Sequence, residues 1–326
     1  MGLTPSLPGR ILVTGAGGFI GRALCTQLKR ARIDHVAVVR ALEHGTRTDA
    51  SVMALGDFAA ADWDAALSGV DAVVHLAGRA HVMHESAPDA ATRYVVANVH
   101  VTRRLAEAAA RAGVRRIVFA SSVKVYGETT QPGHPFGAGD MAAPEDAYAR
   151  SKAEGESVLR AVCGENGMEV VILRLPLNYG PGVRGNFVAL LEAVAAERRL
   201  PLGGIDNRRS LLYLGNAVSA IEAALRAPAL AGETLPVADA ETVSTSELVE
   251  RLARVLDVRL RSFRVPASAL RGMSTLFGRR ADASRLLGSL EVDSTRFREL
   301  ANWSPPHSLD EGLAATAAWW KLRHTL

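Results

Sequence analysis

The stretch VTGAGGFIG at residues 13–21 joins an apolar run to a segment of helical composition. Gly15, Gly18 and Gly21 follow a G-x-x-G-x-x-G spacing, and Gly17 adds one more glycine. Between a strand and a helix, such glycines permit a tight turn, close approach of the backbone to a phosphate, and close helix–strand packing. The unpaired N–H groups that open the helix attract the same phosphate. The stretch therefore predicts a turn that binds a dinucleotide, NAD or NADP.

Outward from this turn, short β-rich runs alternate with helical segments over the first two thirds of the chain. The runs are continuously apolar, which is typical of strands buried on both faces of a sheet. Such alternation predicts an α/β fold with a Rossmann-type doubly wound parallel sheet. Strands are expected at 10–14, 35–40, 51–57, 71–78, 115–122 and 169–175, and helices at 19–31, 90–112 and 148–165.

The pattern changes near residue 176, where prolines and glycines gather and helical segments begin to dominate. No flexible linker divides the two parts. We expect a dinucleotide-binding domain at 8–176 and a smaller, partly interleaved substrate-binding lobe at 177–326, with some strands and helices returning to the core domain. Helices in the lobe are expected at 187–198, 215–226, 245–256 and 309–323.

The composition is that of an ordinary globular protein. Of 326 residues, 48% are hydrophobic and 22% are charged, and no apolar run approaches the ~18 residues of a membrane-spanning helix. The two cysteines, Cys25 and Cys163, predict a reducing compartment and no disulfide framework. Since no charged and apolar leader opens the chain, we expect a cytoplasmic protein with no membrane partner. The net charge of +4 comes from scattered arginines, which indicates a phosphate-rich small ligand rather than nucleic acid.

Tyr148 and Lys152 lie four residues apart in the segment AYARSK, so a helix places them on one face. An ammonium group favours the phenolate form of tyrosine, as does a cationic nicotinamide ring. We expect a lowered pKa of Tyr148, which then exchanges a proton with a substrate oxygen while hydride moves at the same carbon. Lys152 would also hold the nicotinamide ribose. Ser122, at the end of the fifth strand, is the expected hydrogen-bonding partner of that oxygen, with Ser121 as the alternative.

Other candidate residues leave alternatives open. Arg40 ends the second strand, where an acid normally binds the ribose hydroxyls. A cation there favours a 2′-phosphate, so NADP is at least as well supported as NAD, and an exposed arginine without a ligand is the alternative. Asp57 either accepts a hydrogen bond from adenine or serves as a turn residue. His81 and His84 have a metal-like spacing but no further ligand, so no metal site is predicted.

With these residues in place, the chain resembles the extended short-chain dehydrogenase/reductase family of sugar-nucleotide epimerases, dehydratases and reductases. The motifs TGAGGFIG, HLAG, SSVKVYG, YARSK and LRLPLNYGPG follow the family's order along nearly the whole chain. The resemblance also implies a homodimer formed through the helices at 90–112 and 148–165. It implies that coenzyme contacts come from Gly15, Gly17, Gly18, Phe19, Ile20, Gly21, Arg40, Asp57, Leu76, Ala77, Gly78, Asn98, Tyr148, Lys152, Pro176 and Leu177.

The same resemblance implies a UDP-sugar substrate bound by the C-terminal lobe. Arg209 matches a position that contacts the diphosphate, and Arg285 is a possible second phosphate arginine, with surface salt bridging as the alternative for both. Lys124 either steadies the sugar or its diphosphate, or points to solvent. The substrate-binding residues implied in this way are Lys124, Asn178, Asn186, Phe187, Arg209 and Arg285.

Three hypotheses for the function follow. The segments SSVKV, GNF and LGGIDNRRSL resemble those of bacterial surface-polysaccharide enzymes that reduce a UDP-linked 4-keto-6-deoxy-N-acetylhexosamine, as in N-acetylquinovosamine formation. The first hypothesis is therefore an NAD(P)H-consuming reductase in which Tyr148 protonates the new alkoxide at C4. The second is a UDP-glucose or UDP-N-acetylglucosamine 4-epimerase that retains bound NAD. The third, of another class, is a non-catalytic dinucleotide sensor that binds a partner protein.

Overall fold

The structure, a computed structural model, describes residues 7–42, 51–80, 89–266 and 287–324. Within these ranges the strands are β1 (Arg10–Thr14), β2 (Asp34–Val39), β3 (Val52–Ala54), β4 (Ala72–His75), β5 (Arg116–Ser122), β6 (Glu169–Leu175), β7 (Leu177–Tyr179), β8 (Arg209–Tyr213), β9 (Thr234–Pro236) and β10 (Thr242–Val243). The α-helices are α1 (Phe19–Arg30), α2 (Asp64–Leu67), α3 (Ala90–Val95), α4 (Val101–Arg111), α5 (Ala147–Glu165), α6 (Asn186–Ala195), α7 (Leu214–Arg226), α8 (Thr245–Leu256), α9 (Thr295–Ala301) and α10 (Leu309–His324).

Seven strands form one parallel sheet in the order β3-β2-β1-β4-β5-β6-β9. The chain winds outward from β1 in one direction and then returns to continue from β4 in the other. Ligands of such sheets bind beyond the carboxyl ends of the strands, at the point where the winding reverses. The predicted α/β fold with a Rossmann-type doubly wound parallel sheet is confirmed, and β1 and β4 mark its ligand crevice.

Helices cover both faces of this sheet, which explains why its central strands are continuously apolar. One face packs against α2, α4 and α5, and the other packs against α1, α7 and α9. All four residues of β4 are buried. Within the described residues, no helix has both the length and the apolar character needed to cross a membrane.

The helix predicted at 90–112 contains a π-helical segment, Val96–His100, between α3 and α4. Such segments carry one extra residue in the turn and occur frequently at functional sites. Helix α5 crosses this segment closely, because Gly155 has no side chain: a Cβ there would lie 2.6 Å from the Asn98 carbonyl oxygen. The two predicted dimer helices therefore pack against each other within one chain, and the homodimer itself stays a prediction.

The second part of the chain contains more strands than the sequence predicted. β7, β8 and β10 form a separate three-stranded sheet, and β9 joins the large sheet beside β6. Helices α6, α8 and α10 pack around the small sheet in a core of their own. These strands are only two to five residues long, so hydrophobic periodicity is a weak signal for them. The domain division at residue 176 stays a prediction.

Candidate active site

The glycine turn between β1 and α1 forms a cradle at the carboxyl edge of the sheet. Gly15 has a φ of +68°, and a Cβ there would lie 2.7 Å from the backbone nitrogen of Ala77. A Cβ on Gly21 would lie 2.2 Å from the Gly15 carbonyl oxygen. No side chain caps α1 at Gly18, and Gly17 and Gly18 are exposed. The N–H groups of the first turn are thus available to a phosphate, and the residues present fit the pyrophosphate of a dinucleotide.

Asn98 holds the loop that follows β4. Its side chain accepts a hydrogen bond of 2.8 Å from the backbone nitrogen of Arg79 and donates one of 3.1 Å to the Arg79 carbonyl oxygen. It also donates to Ser151 Oγ at 2.9 Å, and that hydroxyl donates to the Tyr148 carbonyl oxygen at 2.7 Å. The amide therefore connects the loop at Gly78 with the helix that carries Tyr148.

The ends of β5 and α5 bring Ser122 and Tyr148 together. Ser122 is the last residue of β5 and is 8% exposed. Tyr148 lies in the first turn of α5, where the side chain of Asp146 caps the helix by accepting from the Ala149 nitrogen at 2.7 Å. The side chains of Ser122 and Tyr148 are hydrogen-bonded. Two hydroxyl groups thus meet at the sheet edge that carries the glycine turn.

Lys152 lies one turn beyond Tyr148 and is 6% exposed. Its Nζ lies 4.1 Å from the centroid of the Phe119 ring and 4.0 Å from the point where Gly78 would carry a Cβ. Burial lowers the pKa of Lys152 to about 7, against the charge of Glu156, which raises it. An amine in this position can hold a ribose bound over the glycine turn, and its charge state responds to its surroundings near neutral pH.

The environment of Tyr148 differs from the sequence expectation. Burial raises the pKa of Tyr148 to about 12, the hydrogen bond with Ser122 lowers it, and Asp146 and Tyr94 raise it further. The expected lowering of this pKa by Lys152 is therefore wrong for the polypeptide on its own. The sequence shows the neighbouring cation, but it does not show desolvation, which is the larger effect here.

Comparison with known proteins identifies the family. The sequence profile described as "NAD dependent epimerase/dehydratase family" matches residues 11–238. A UDP-glucose 4-epimerase of Vibrio cholerae is 38% identical over 95% of this chain and 95% of its own length. The chain belongs to the NAD-dependent epimerase/dehydratase family.

Two further relatives agree with this assignment. A dTDP-glucose 4,6-dehydratase of Streptomyces griseus is 32% identical over 95% of this chain and 93% of its own length. The structure of MoeE5 in complex with UDP-glucuronic acid and NAD superposes with a TM-score of 0.77 and 27% identity, covering 98% of this chain and 100% of that one. The resemblance to short-chain dehydrogenases/reductases is thus confirmed, and the chain is an NAD-dependent enzyme of sugar-nucleotide chemistry.

The other predicted coenzyme residues of this family member lie along the same edge. Leu177, which follows β6 and Pro176, is 45% exposed, although large apolar side chains are usually covered. Asp57 is exposed, and its Oδ1 accepts from the Ala59 nitrogen at 3.0 Å, so it serves as a turn residue. Arg40 is exposed just beyond β2, and its guanidinium makes no hydrogen bond or ion pair with the described residues. A contact of Arg40 with the 2′-phosphate of NADP stays a prediction.

Lys124 does not point to solvent, which was one of the two alternatives for it. Its Nζ contacts Glu128 Oε1 at 2.6 Å and Asp146 Oδ2 at 2.8 Å, and its side chain is 16% exposed. Asp146 is also the cap of α5. Lys124 thus connects the start of α5 to the segment after β5, and a contact with the sugar or its diphosphate stays a prediction.

The predicted substrate residues of the lobe have different surroundings. Arg209 Nη1 donates to the Gly288 carbonyl oxygen at 3.2 Å. Burial lowers the pKa of Arg209 while the charge of Glu128 raises it, which puts Arg209 near the partner of Lys124. Asn178 Oδ1 is buried and has no hydrogen-bonding partner among the described residues. It is thus an acceptor that a substrate N–H or O–H group would satisfy.

Asn186 and Phe187, two other residues predicted to bind substrate, differ in their exposure to solvent. Asn186 is exposed at the start of α6. The Phe187 ring, in contrast, is 2% exposed and stacks on Tyr179 with centroids 5.3 Å apart. The ring therefore packs in the core of the lobe, and a substrate contact of Phe187 stays a prediction. Arg285, His81 and His84 lie outside the described residues. Among those described, no group of three or more His, Cys, Asp or Glu residues is placed to hold a metal ion.

A buried polar chain beneath the site was missed by the sequence analysis. The Ala77 nitrogen donates to Thr14 Oγ1 at 3.1 Å, Thr14 Oγ1 lies 2.7 Å from His75 Nδ1, and His75 Nε2 lies 2.9 Å from Thr102 Oγ1. The single O–H of Thr102 is committed to the Asn98 carbonyl oxygen at 2.8 Å. Nε2 must therefore donate, and Nδ1 must accept from Thr14. Burial lowers the pKa of His75 to about 3, which agrees with a neutral ring, and the HLAG motif was the available signal.

A second missed cluster consists of Ser121, Glu156 and Arg174. Ser121 Oγ donates to Glu156 Oε1 at 2.6 Å, so Ser121 faces the protein interior. Of the two serines considered, the structure therefore favours Ser122 as the one that meets Tyr148. The four-residue spacing between Lys152 and Glu156 was the signal in the sequence, because it places both on one side of α5.

Proposed function

We propose that this enzyme transfers hydride at C4 of a UDP-hexose, with 4-epimerisation as the leading reaction. The observation that carries the proposal is the hydrogen-bonded pair of Ser122 and Tyr148, with Lys152 one turn further, beside a glycine turn shaped for a dinucleotide. The 38% identical relative, named a UDP-glucose 4-epimerase, spans 95% of both chains and supports the reaction. The name of the 32% identical relative, a 4,6-dehydratase, also includes C4.

In the proposed reaction, the ionised form of Tyr148 accepts the proton of the C4 hydroxyl while the C4 hydrogen leaves as hydride. NAD, held by the glycine turn and Lys152, would supply the acceptor for that hydride. Ser122 hydrogen-bonds the same oxygen, and Lys152 holds the ribose and places a positive charge near the phenol. In epimerisation the 4-keto sugar turns over, hydride returns to its other face, and Tyr148 gives the proton back to the oxygen. No external reductant is consumed, because the hydride and the proton that leave the sugar both return to it.

Reduction of a UDP-4-keto-6-deoxy-N-acetylhexosamine, in surface-polysaccharide biosynthesis, is the second candidate. The observation that favours it is Arg40, an exposed cation at the end of β2 whose guanidinium has no ion pair or hydrogen bond with the described residues. A cation there favours a 2′-phosphate, and hence NADPH. In this reaction Tyr148 gives its proton to the new alkoxide at C4, and the reduced coenzyme would supply the hydride.

The substrate lobe is proposed to bind the UDP-sugar through Arg209, Asn178 and Asn186. Arg209 is the preferred diphosphate ligand, since guanidinium offers paired donors to phosphate oxygens. Arg209→Ala should therefore raise KM for the UDP-sugar more than it lowers kcat.

Two assays on the purified protein separate the two reactions. A 4-epimerase interconverts UDP-glucose and UDP-galactose, or their N-acetylated counterparts, with no added coenzyme. A reductase oxidises NADH or NADPH in proportion to an added UDP-4-keto-6-deoxy sugar. Mass spectrometry of the nucleotide that co-purifies identifies the coenzyme independently. Absence of both activities with these substrates would contradict the proposal.

Tyr148→Phe tests whether the site is catalytic at all. Removing this hydroxyl should lower turnover by about 10³-fold or more, because it removes the proton-transfer group, while NADH binding is retained. Tyr126→Phe is a matched control: Tyr126 is also buried near the site, but its side chain interacts with Arg174 and not with the Ser122–Tyr148 pair, and phenylalanine keeps the ring under that guanidinium. Its turnover should stay near wild type. A silent Tyr148→Phe, with an unchanged protein partner, would support the sensor hypothesis instead.

A further inference from the structure

The carboxylate of Glu156 lies one turn beyond Lys152 and is enclosed in the protein core. Arg174 donates to both of its oxygens, from Nε to Oε1 at 3.0 Å and from Nη2 to Oε2 at 2.7 Å. The side chains of Glu156 and Arg174 are 1% and 6% exposed. Ser121 Oγ donates to Oε1 at 2.6 Å, and Arg160 adds a longer contact of 3.4 Å to Oε2. The carboxylate is thus held from several directions.

This cluster joins the elements that carry the proposed catalytic groups. Ser121 precedes Ser122 on β5, and its register partner on β6 is Arg174. Glu156 belongs to α5, the helix of Tyr148 and Lys152. One carboxylate therefore fixes the position of that helix against the end of the strand that carries Ser122. The Arg174 guanidinium also lies 4.2 Å over the ring of Tyr126, which restricts it further.

Fold stability alone does not account for this ion pair. Two charges lose their hydration on burial, and well-packed apolar residues of similar volume are often equally stabilising or better. Lys152, close by, is a buried cation that forms no hydrogen bond or ion pair with the described residues, only the contact with the Phe119 ring. Its pKa is lowered by burial and raised by Glu156, the one charged group that opposes the burial. The carboxylate is thus placed to act on the amine.

We propose that Glu156, clamped by Arg174 and Ser121, is a positioning residue that sets α5 against β5 and keeps Lys152 cationic. The proposal rests on the proposed function only in assigning Lys152 to the reaction. The effect of Glu156 on the pKa of Lys152 can be measured without any substrate.

The remaining titratable groups around Lys152 do not replace this charge. His75 on β4 is neutral, with a pKa lowered to about 3 by burial and by Lys152 itself. Tyr148 on the same helix has a pKa raised to about 12 and is neutral at physiological pH. Asp146 is committed to Lys124 and to the helix cap. Other charged or titratable groups on neighbouring elements include Arg79 after β4, Tyr94 on α3, Tyr126 after β5 and Arg174 on β6.

The chain has four lysines, Lys29, Lys124, Lys152 and Lys321, so lysine labelled with ¹³C at Cε gives a short spectrum. Loss of one signal in Lys152→Met assigns the resonance, and its shift against pH gives the pKa of Lys152. Glu156→Gln keeps the shape of the side chain but leaves Arg174 unpaired. We expect it to lower this pKa by about one pH unit or more. Glu154→Gln, an exposed residue of the same helix, is the matched control and should leave the pKa unchanged.

The double variant Glu156→Gln/Arg174→Met separates charge from folding. Both charges are removed, so the pKa of Lys152 should return toward the wild-type value even though the clamp is lost. Arg174→Met alone leaves the carboxylate unopposed and should raise this pKa. If Glu156→Gln does not fold, these two variants carry the test. A Lys152 titration that is the same in wild type, Arg174→Met and the double variant would overturn the electrostatic role.

Turnover then tests positioning. In Glu156→Gln, kcat should fall at least tenfold, and the decline of activity at high pH should begin at lower pH, in step with the titration of Lys152. The double variant should recover the pH profile but keep a lowered kcat, because the clamp is absent. A full recovery of kcat would contradict the positioning role. Failure of the enzyme to act on any UDP-sugar would leave the lysine titration unaffected, so the two proposals fail separately.

Discussion

Lys124 and Lys152 both lie within a few residues of the Ser122–Tyr148 contact, but only the ammonium group of Lys124 is paired with carboxylates. Lys124 Nζ is held by Glu128 and Asp146 at 2.6 and 2.8 Å. Lys152 has no carboxylate partner among the described residues and lies over an aromatic ring. The first is a compensated charge with a structural role. The second has no carboxylate in contact with it, so the charge of Glu156 offsets only part of the burial and its pKa is lowered to about 7.

The comparison shows how one site can combine rigidity with reactivity. A cation paired with two carboxylates fixes the residues around it, here the cap of α5 at Asp146. A cation buried without a partner destabilises the fold but changes its protonation state easily, which is a property of functional groups. The uncompensated lysine should therefore favour activity at the expense of stability, and the compensated one should favour stability.

Lys152→Met should produce the largest effects, with opposite signs for activity and stability. Turnover should fall by about 10²-fold or more, because the ribose contact and the charge beside Tyr148 are lost. The protein without coenzyme should become more stable. Burial lowers the pKa of Lys152 from 10.5 to about 7, so keeping it charged in the folded state costs on the order of a few kcal/mol.

The pH dependence of this gain follows from the same shift. Below pH 7 the lysine is charged in both folded and unfolded states, and the gain should be full. Between pH 7 and 10.5 only the unfolded state holds the proton, so the wild type gains stability as pH rises and the difference shrinks. Tm values at pH 6, 8 and 10 measure this. A methionine variant that is less stable than wild type at pH 6 would show that the lysine is not buried at a cost.

Lys124→Met should have the reverse balance. Two partly buried carboxylates would lose their shared cation, so the free energy of unfolding should fall by about 1–3 kcal/mol in urea titrations. The exposed Lys29→Met is the control and should change stability little. Turnover should fall much less than in Lys152→Met. A large rise in KM for the UDP-sugar with unchanged stability would instead identify Lys124 as a substrate ligand.

The sequence predicts well those structural features that are determined by residues close together in the chain. The glycine turn at 13–21 and the strands at 10–14 and 169–175 were predictable because local residue types determine them. The position of Ser122 at the end of β5 followed from the same pattern. The small sheet was not predictable, because each of its strands is stabilised by segments far along the chain, as in the bond from the Ser210 nitrogen to the Leu290 carbonyl oxygen.

Electrostatic properties of the site were the least predictable from the sequence. Spacing on a helix revealed that Tyr148 and Lys152 are neighbours, but their pKa values are set mainly by burial, in directions that disfavour both charges. The partners of Lys124 could not be identified, since Asp146 lies 22 residues away. Pairing over such distances depends on the completed fold, and an isolated lysine in a sequence carries no sign of it.

Asp146→Asn should produce the smallest effect. It tests whether the charges around Lys124 influence the pair of Tyr148 and Lys152. Asparagine caps a helix about as well as aspartate, so α5 should keep its start. The change removes a charge that raises the pKa of Tyr148. This pKa should therefore fall, by an amount between a few tenths of a pH unit and roughly one pH unit. Oxidation at C4 requires the ionised phenol, and its rate should therefore rise at correspondingly lower pH in the pH–rate profile. Asp62→Asn, a distant exposed site, should leave the profile unchanged. If the pH–rate profile of Asp146→Asn also matches that of the wild type, Lys124 already cancels the charge of Asp146 at the phenol. Lys124 and its carboxylates would then affect Tyr148 and Lys152 only by fixing the position of α5.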